Sequence, residues 1–256
     1  MREGAAWRRL QSPMRYELTR IRLADGGETT VYVVVHARRR TRVRVMCFAE
    51  AQRLDHWCAA NGRPEAIVAG FFLRDPWRPL GEVRIDGRAV GHEPIAEPFG
   101  PVRGCVHAGA GGAVRLAARR ELAEEPAGDL VQAGPLLVRD GQVVAGDPEG
   151  FSAGSGQFDS DITAERHPRC ALGVNDEELF AVCCDGRRTG VDAGLDLPEL
   201  GRFLLSLGAT DAINLDGGGS ATLVHRGHLL NRPYSSVDQP GPESRPIVSA
   251  LLFDAA

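Results

Sequence analysis

The chain has 256 residues, of which 43% are hydrophobic and 25% charged, a balance that supports a sizeable core and excludes a disordered or fibrous protein. Its formal net charge of −4 excludes a general nucleic-acid binder, which would be basic. All 30 cationic side chains are arginine, so chemistry that needs a lysine, as a pyridoxal Schiff base or a Walker-type phosphate loop, is excluded too.

Residues 1–12 read as a loose tail and residues 13–256 as one domain. No apolar run of signal-peptide length follows Met1, and the most apolar stretch, residues 31–35, is strand-sized, so no membrane span and a cytoplasmic location are expected. Residues 16–23 and 30–36 are rich in β-branched side chains around Gly26-Gly27 and predict a hairpin. Residues 42–48 alternate Val43, Val45 and Cys47 with arginines, as a half-exposed strand does. Over residues 50–60, Ala51, Leu54, Trp57 and Cys58 share a helical face, and Gly62 is a stop signal. Residues 66–72 predict a short buried strand running into a glycine turn. Asp86-Gly87 and Asp140-Gly141 are hairpin turns, while residues 113–125 fit helix or strand equally. Residues 147–167 form a long polar loop, of the kind that is functional or disordered. Residues 178–184 are a strand. A helix follows from Pro198, with Leu200, Phe203, Leu204 and Leu207 on one face and Gly208 as the stop. Residues 212–215 are the next strand, leading through a triple glycine to a hairpin at Arg226-Gly227. The pattern predicts a single α+β domain, a mixed or antiparallel sheet core with a few packed helices. The six cysteines lack paired zinc spacing and lie mostly among apolar neighbours, so free thiols in a reducing compartment are expected.

Two features point to chemistry. Asp216-Gly217-Gly218-Gly219-Ser220 directly follows a buried strand, and three consecutive glycines are conformationally expensive. Such a run suits either close backbone approach to a ligand, with N–H groups forming an anion nest, or a tight turn with a solvated aspartate. The second feature is a set of arginines near carboxylates or strand ends: Arg169 in His167-Pro-Arg-Cys170, Arg187 in Asp185-Gly-Arg187, and Arg245 before Pro246. Guanidinium is the natural bidentate partner of phosphate, although spacing alone does not make the three converge.

The order of these segments resembles the phosphodiester glycosidase family. The resemblance rests on Gly70-Phe-Phe72, Ala133-Gly-Pro-Leu-Leu-Val138 with Asp140-Gly141, Pro168-Arg169, Asp185-Gly-Arg187, residues 195–200, Asn214-Leu-Asp-Gly-Gly-Gly-Ser220, Asn231 and residues 245–249. It runs from about residue 66 to residue 253. Two positions depart from the family pattern. Val68-Ala69-Gly70 replaces an Asn-Gly-Gly-like segment, and Cys170 stands where threonine is usual.

The resemblance implies hydrolysis of a sugar-1-phosphodiester at the anomeric carbon–oxygen bond, giving a free sugar and a phosphomonoester. It also implies roles. Asp216, or failing it Asp185, is the carboxylate at the anomeric carbon. Arg169, Arg187, Arg245 and the N–H groups of Gly217, Gly218 and Gly219 stabilise the departing phosphate, with Ser220 beside them. Asn214 and Asn231 hold hydroxyl or phosphate oxygens. No cofactor is required on this reading, and no metal site is assigned; a divalent cation near Asp185 and Asp216 is the variant reading. The expected partner is a small sugar-phosphodiester, an intracellular biosynthetic intermediate, with no nucleic-acid polymer, no membrane and no defined oligomeric state. The rivals are a metal-dependent phosphodiesterase cleaving P–O, a non-catalytic sugar-phosphate binding protein, and a glycosyl transferase.

Overall fold

The computed structural model describes residues 14–144, 165–233 and 244–256. The expected tail and most of the expected 147–167 loop lie outside them.

The first hairpin forms as predicted: β1 (Met14–Arg22) and β2 (Glu28–Ala37) pair antiparallel, with Thr19 opposite Val31. β3 (Thr41–Gln52) runs four residues further than residues 42–48, because Gln52 still pairs with Ile247 of β19 (Ile247–Ala255). The helix predicted over residues 50–60 therefore shrinks to α1 (Leu54–Ala60). Its apolar face survives through Leu54 and Cys58, both buried. β4 (Ala66–Val68) is followed by a small hairpin, β5 (Phe72–Arg74) and β6 (Trp77–Pro79). The ambiguous residues 113–125 resolve as β10 (Val114–Ala118), paired with β9 (Gly104–Ala108), and a 3-10 turn at Arg119–Glu121.

β7 (Val83–Ile85) and β8 (Arg88–Ala89) turn at Asp86-Gly87, and β12 (Leu136–Arg139) and β13 (Gln142–Val143) at Asp140-Gly141. β17 (Leu223–His225) and β18 (His228–Leu229) turn at Arg226-Gly227. Both central residues have positive φ in all three turns, the geometry that matches strand twist in two-residue hairpins.

With β11 (Asp129–Gln132), β14 (Arg169–Val174), β15 (Glu178–Cys184) and β16 (Asp211–Asn214), the strands make three main sheets. The orders are β1-β2-β15-β14-β16-β12-β13, β10-β9-β11-β7-β8 and β18-β17-β4-β19-β3. Every strand ladder is antiparallel, and the described residues hold two α-helices, so the fold is mainly β with less helix than the α+β expectation implied. The central strands of the seven-stranded sheet are buried on both faces. Tyr32, Val34, Leu172, Ala181 and Ile213 enter the main core shared with the other sheets. Val31, Val33, Val35, Phe180 and Val182 pack instead with Leu197, Leu200 and Leu204 of α2 (Leu197–Ser206). That two-sided burial explains the continuous apolar run of residues 31–35. α2 starts in a capping box: Asp196 Oδ1 accepts the Glu199 N–H at 2.6 Å, and Glu199 Oε2 accepts the Asp196 N–H at 3.0 Å. Among the described residues no helix is long and apolar enough to cross a membrane.

Candidate active site

Antiparallel register brings the sequence-distant motifs together. Arg169 opens β14 opposite Cys184, the last residue of β15, and Ala171 lies opposite Asn214, the last residue of β16. The segments 167–169, 185–187 and 216–220 therefore all leave the seven-stranded sheet at one end. The neighbouring sheet is joined there: the Asp216 N–H donates to Ala69 O at 2.9 Å, just beyond β4. Arg245, just before β19, donates its N–H to Gly219 O at 3.1 Å.

The glycines serve this convergence by packing. A Cβ on Gly217 would lie 2.7 Å from Pro168 O, and one on Gly186 would lie 2.7 Å from Pro168 N. Gly218 has φ +58 and donates its N–H to Pro168 O at 2.8 Å, while the Gly217 N–H donates to Asp216 Oδ1 at 2.8 Å. The N–H groups of Gly217 and Gly218 are thus bonded inside the protein. Gly219 is buried in the 3-10 turn Gly218–Ser220 and lends its carbonyl to Arg245. The run thus contacts both Asp216 and Arg245 through its main chain.

Asp216 is partly exposed. Desolvation pushes its carboxyl up to about 6, against the opposing pull of the Gly217 N–H, the Ser220 hydroxyl, Arg245 and Arg74. Ser220 is itself buried, and its hydroxyl donates to the Asp216 carboxylate. Arg74, on β5, carried no signal in the sequence, being one of many arginines without a motif. It acts electrostatically on Asp216 and Arg245 alike. Burial lowers the Arg245 guanidinium's pKa; Arg74 and Arg187 lower it further, and Asp216 opposes them. Arg187 adopts φ +58, a conformation that costs a non-glycine residue of order 1 kcal/mol. Its Nη1 lies 3.2 Å from where a Gly218 Cβ would stand, and its Nε donates to His167 Nδ1 at 3.4 Å. One carboxylate thus stands in the field of clustered arginines.

The remaining predicted residues have different surroundings. Arg169 is buried, and its Nε and Nη2 donate to the carbonyls of Leu195 (3.1 Å) and Glu165 (2.8 Å). Two of its donor groups thereby bind main chain. Asp185 is 1% exposed and both its oxygens are bonded, Oδ2 by the Tyr32 hydroxyl at 2.9 Å and Oδ1 by the Arg232 N–H at 2.7 Å. Burial raises its carboxyl to about 6. It thereby ties β2 and the Arg232 segment to the start of the Arg187 turn. Asn231 accepts from the Leu223 N–H at 2.9 Å and donates to Ala221 O at 2.8 Å, a clamp on the entry to β17. Asn214 is buried against Gly134, whose Cβ would lie 2.6 Å from Asn214 Nδ2, and its Oδ1 is a buried acceptor without a protein partner. A substrate-binding role for Asn214 would need access to that buried oxygen. Among the described residues no group of three or more His, Cys, Asp or Glu side chains could hold a metal ion.

The phosphodiester glycosidase family model matches residues 61–253. The chain belongs to that family. Human and mouse N-acetylglucosamine-1-phosphodiester alpha-N-acetylglucosaminidase are each 32% identical to it over 105 residues, 41% of this chain. The match spans 19% of the length of those relatives. The zebrafish N-acetylglucosamine-1-phosphodiester alpha-N-acetylglucosaminidase catalytic domain, auto-inhibited by its pro-peptide, superposes with a TM-score of 0.72 at 20% identity. It covers 98% of this chain and 86% of that one. A hypothetical protein from Synechocystis superposes with a TM-score of 0.66 at 18% identity, over 95% of this chain and 62% of that one. At such identities these two show the fold alone.

Within the family, both departures of this chain are absorbed by the core. Val68 pairs with Ala250 and is fully buried, and Cys170 is fully buried opposite Cys183, with the two sulfurs 3.1 Å apart. Both belong to the main apolar cluster.

Proposed function

We propose that this phosphodiester glycosidase hydrolyses a sugar-1-phosphodiester at the anomeric carbon–oxygen bond. The observation that carries the proposal is the Asp216 carboxylate in the shared field of Arg74 and Arg245, with Arg187 acting on Arg245. Cleavage of the C1–O bond leaves its electron pair on the phosphate oxygen, where the arginines stabilise the growing charge. The oxocarbenium-like carbon is met by Asp216, as nucleophile or as the base that takes a proton from attacking water. Water supplies oxygen to C1, and the products are the free sugar and a phosphomonoester. Arg169, Asp185 and Asn231 act as positioning residues for the Pro168, Arg187 and β17 segments, and Ser220 for Asp216. N-acetylglucosamine is the first sugar to try, because the human and mouse relatives are named for it.

The test is the bond that breaks. Hydrolysis of an N-acetylglucosamine-1-phosphodiester in oxygen-18 water is expected to label the sugar C1 hydroxyl and leave the phosphomonoester unlabelled. Early time points are needed, because that hydroxyl exchanges through the open-chain form. Label in the phosphate would replace this reading with P–O cleavage.

The finer proposal is a cytoplasmic enzyme acting on a biosynthetic intermediate. It is supported by six unbridged cysteines, five of them buried. Mass spectrometry of freshly purified, non-reduced protein is expected to find six thiols. A stoichiometric disulfide would move the protein to an oxidising compartment.

A further inference from the structure

The β5–β6 hairpin carries a second binding feature beside the arginine cluster. Its register places Phe72 opposite Pro79 and Arg74 opposite Trp77. Residues directly opposite, and residues two apart on one strand, share a face. Phe72, Arg74, Trp77 and Pro79 therefore lie on one side of the hairpin, and Leu73 and Arg78 on the other. The second side is anchored: Leu73 packs on Phe71, Leu80, Ile95 and Phe99, and Arg78 pairs with Glu93 at 2.5 Å. The first side holds a stacked aromatic pair, Phe72 and Trp77, with ring centroids 5.5 Å apart and planes 24° apart. Phe72 also packs against the main core, yet Trp77 remains 43% exposed. Arg74, on the same side, acts on the charges of Asp216 and Arg245, and β6 lies beside β19, the strand that Arg245 leads into.

A large exposed indole, backed by a second ring and fixed beside a phosphate-directed arginine, is a stacking platform for a ring attached to that phosphate. We propose that this face is the subsite for the alcohol side of the phosphodiester, and that it selects ring-bearing alcohols over simple alkyl ones. Arg74 holds phosphate oxygen, and Trp77 stacks on the flat face of the ring next to it. This rests on the glycosidase reading, since it is the phosphomonoester product that occupies the subsite.

The test uses the full chain and three phosphomonoesters, titrated by calorimetry: methyl phosphate, glucose 6-phosphate as a pyranose ester, and phenyl phosphate as an aryl ester. In the parent protein at least one ring ester is expected to bind about tenfold more tightly than methyl phosphate. Trp77→Ala is expected to abolish that preference, and Trp77→Phe to restore most of it. A pyranose-only preference marks the alcohol as a sugar, and an aryl preference marks it as a flat aromatic one. Ring esters binding no better than methyl phosphate, or a preference that survives Trp77→Ala, would overturn the subsite and leave the phosphate site standing. If none of the three binds, the glycosidase reading falls and the subsite falls with it.

Discussion

Asp216→Asn is expected to lower kcat by at least about a hundredfold, the loss typical when a charge aimed at the reacting centre is removed. The change is nearly isosteric, and the amide oxygen still accepts from the Gly217 N–H, so the fold survives. A pH signature accompanies it. The carboxyl titrates at about 6 in the folded protein, so if its ionised form acts, kcat/KM falls as the pH drops below about 6. Asp185 titrates in the same range, so Asp185→Asn is the control: its profile keeps the acid limb if Asp216 is the group observed. Stability moves the opposite way to activity. Because the folded pKa lies above that of the unfolded chain, the stabilisation tied to the protonated form is complete below about pH 4. It is lost as the pH rises through 6. Asp216→Asn should therefore gain about 1 kcal/mol at pH 8, discounted for partial exposure, or roughly 2–4 °C, and nothing near pH 4. Near-normal kcat with an unchanged melting curve would remove Asp216 from the mechanism.

Replacing the arginines should separate ligand binding from architecture. Arg187→Ala and Arg245→Ala are each expected to weaken product phosphomonoester binding by about 10–150-fold, the range for one lost charge-assisted hydrogen bond of roughly 1.5–3 kcal/mol. Lysine at position 187 should recover only part of this, because an ammonium lacks the planar fork. Arg169→Ala should act differently. Its guanidinium supports the carbonyls of Leu195 and Glu165, so the expected result is a lower melting temperature with product affinity changed less than in the other two variants. Calorimetry and thermal melts on the three variants decide it. Equal product affinity in Arg187→Ala, Arg245→Ala and the parent would place the phosphate elsewhere.

Local chemistry made much of the fold legible in the sequence. Asp86-Gly87, Asp140-Gly141 and Arg226-Gly227 are turns because the glycine takes a positive φ without strain and the strand twist selects that geometry. Pro198, Glu199 and Gly208 mark the ends of α2 because helix ends leave main-chain groups that only certain residues satisfy. Asp216 and its glycines stood out because three consecutive glycines need a structural reason. What escaped were non-local matters. The end of β3 depends on Gln52 finding Ile247, almost two hundred residues away, and that pairing outweighs the helical periodicity of residues 50–53.

The site divides along the same line. The sequence by itself identified the residue types, the order of motifs and the family they resemble, since these are properties of the chain taken one segment at a time. Only the tertiary structure decided how each motif residue is buried and bonded. Arg169 and Arg187 read alike in sequence, yet the first is bonded to carbonyls of Leu195 and Glu165 and the second lies beside Gly218. Asp185 and Asp216 read alike as well; one is sealed between Tyr32 and the Arg232 N–H, and the other keeps partial exposure beside Arg245 and Arg74. Arg74 had no motif at all, and its electrostatic reach to Asp216 follows from the hairpin that carries it. A side chain's chemistry is written in its own residue, whereas its desolvation and its partners are fixed by segments that meet only when the sheets close.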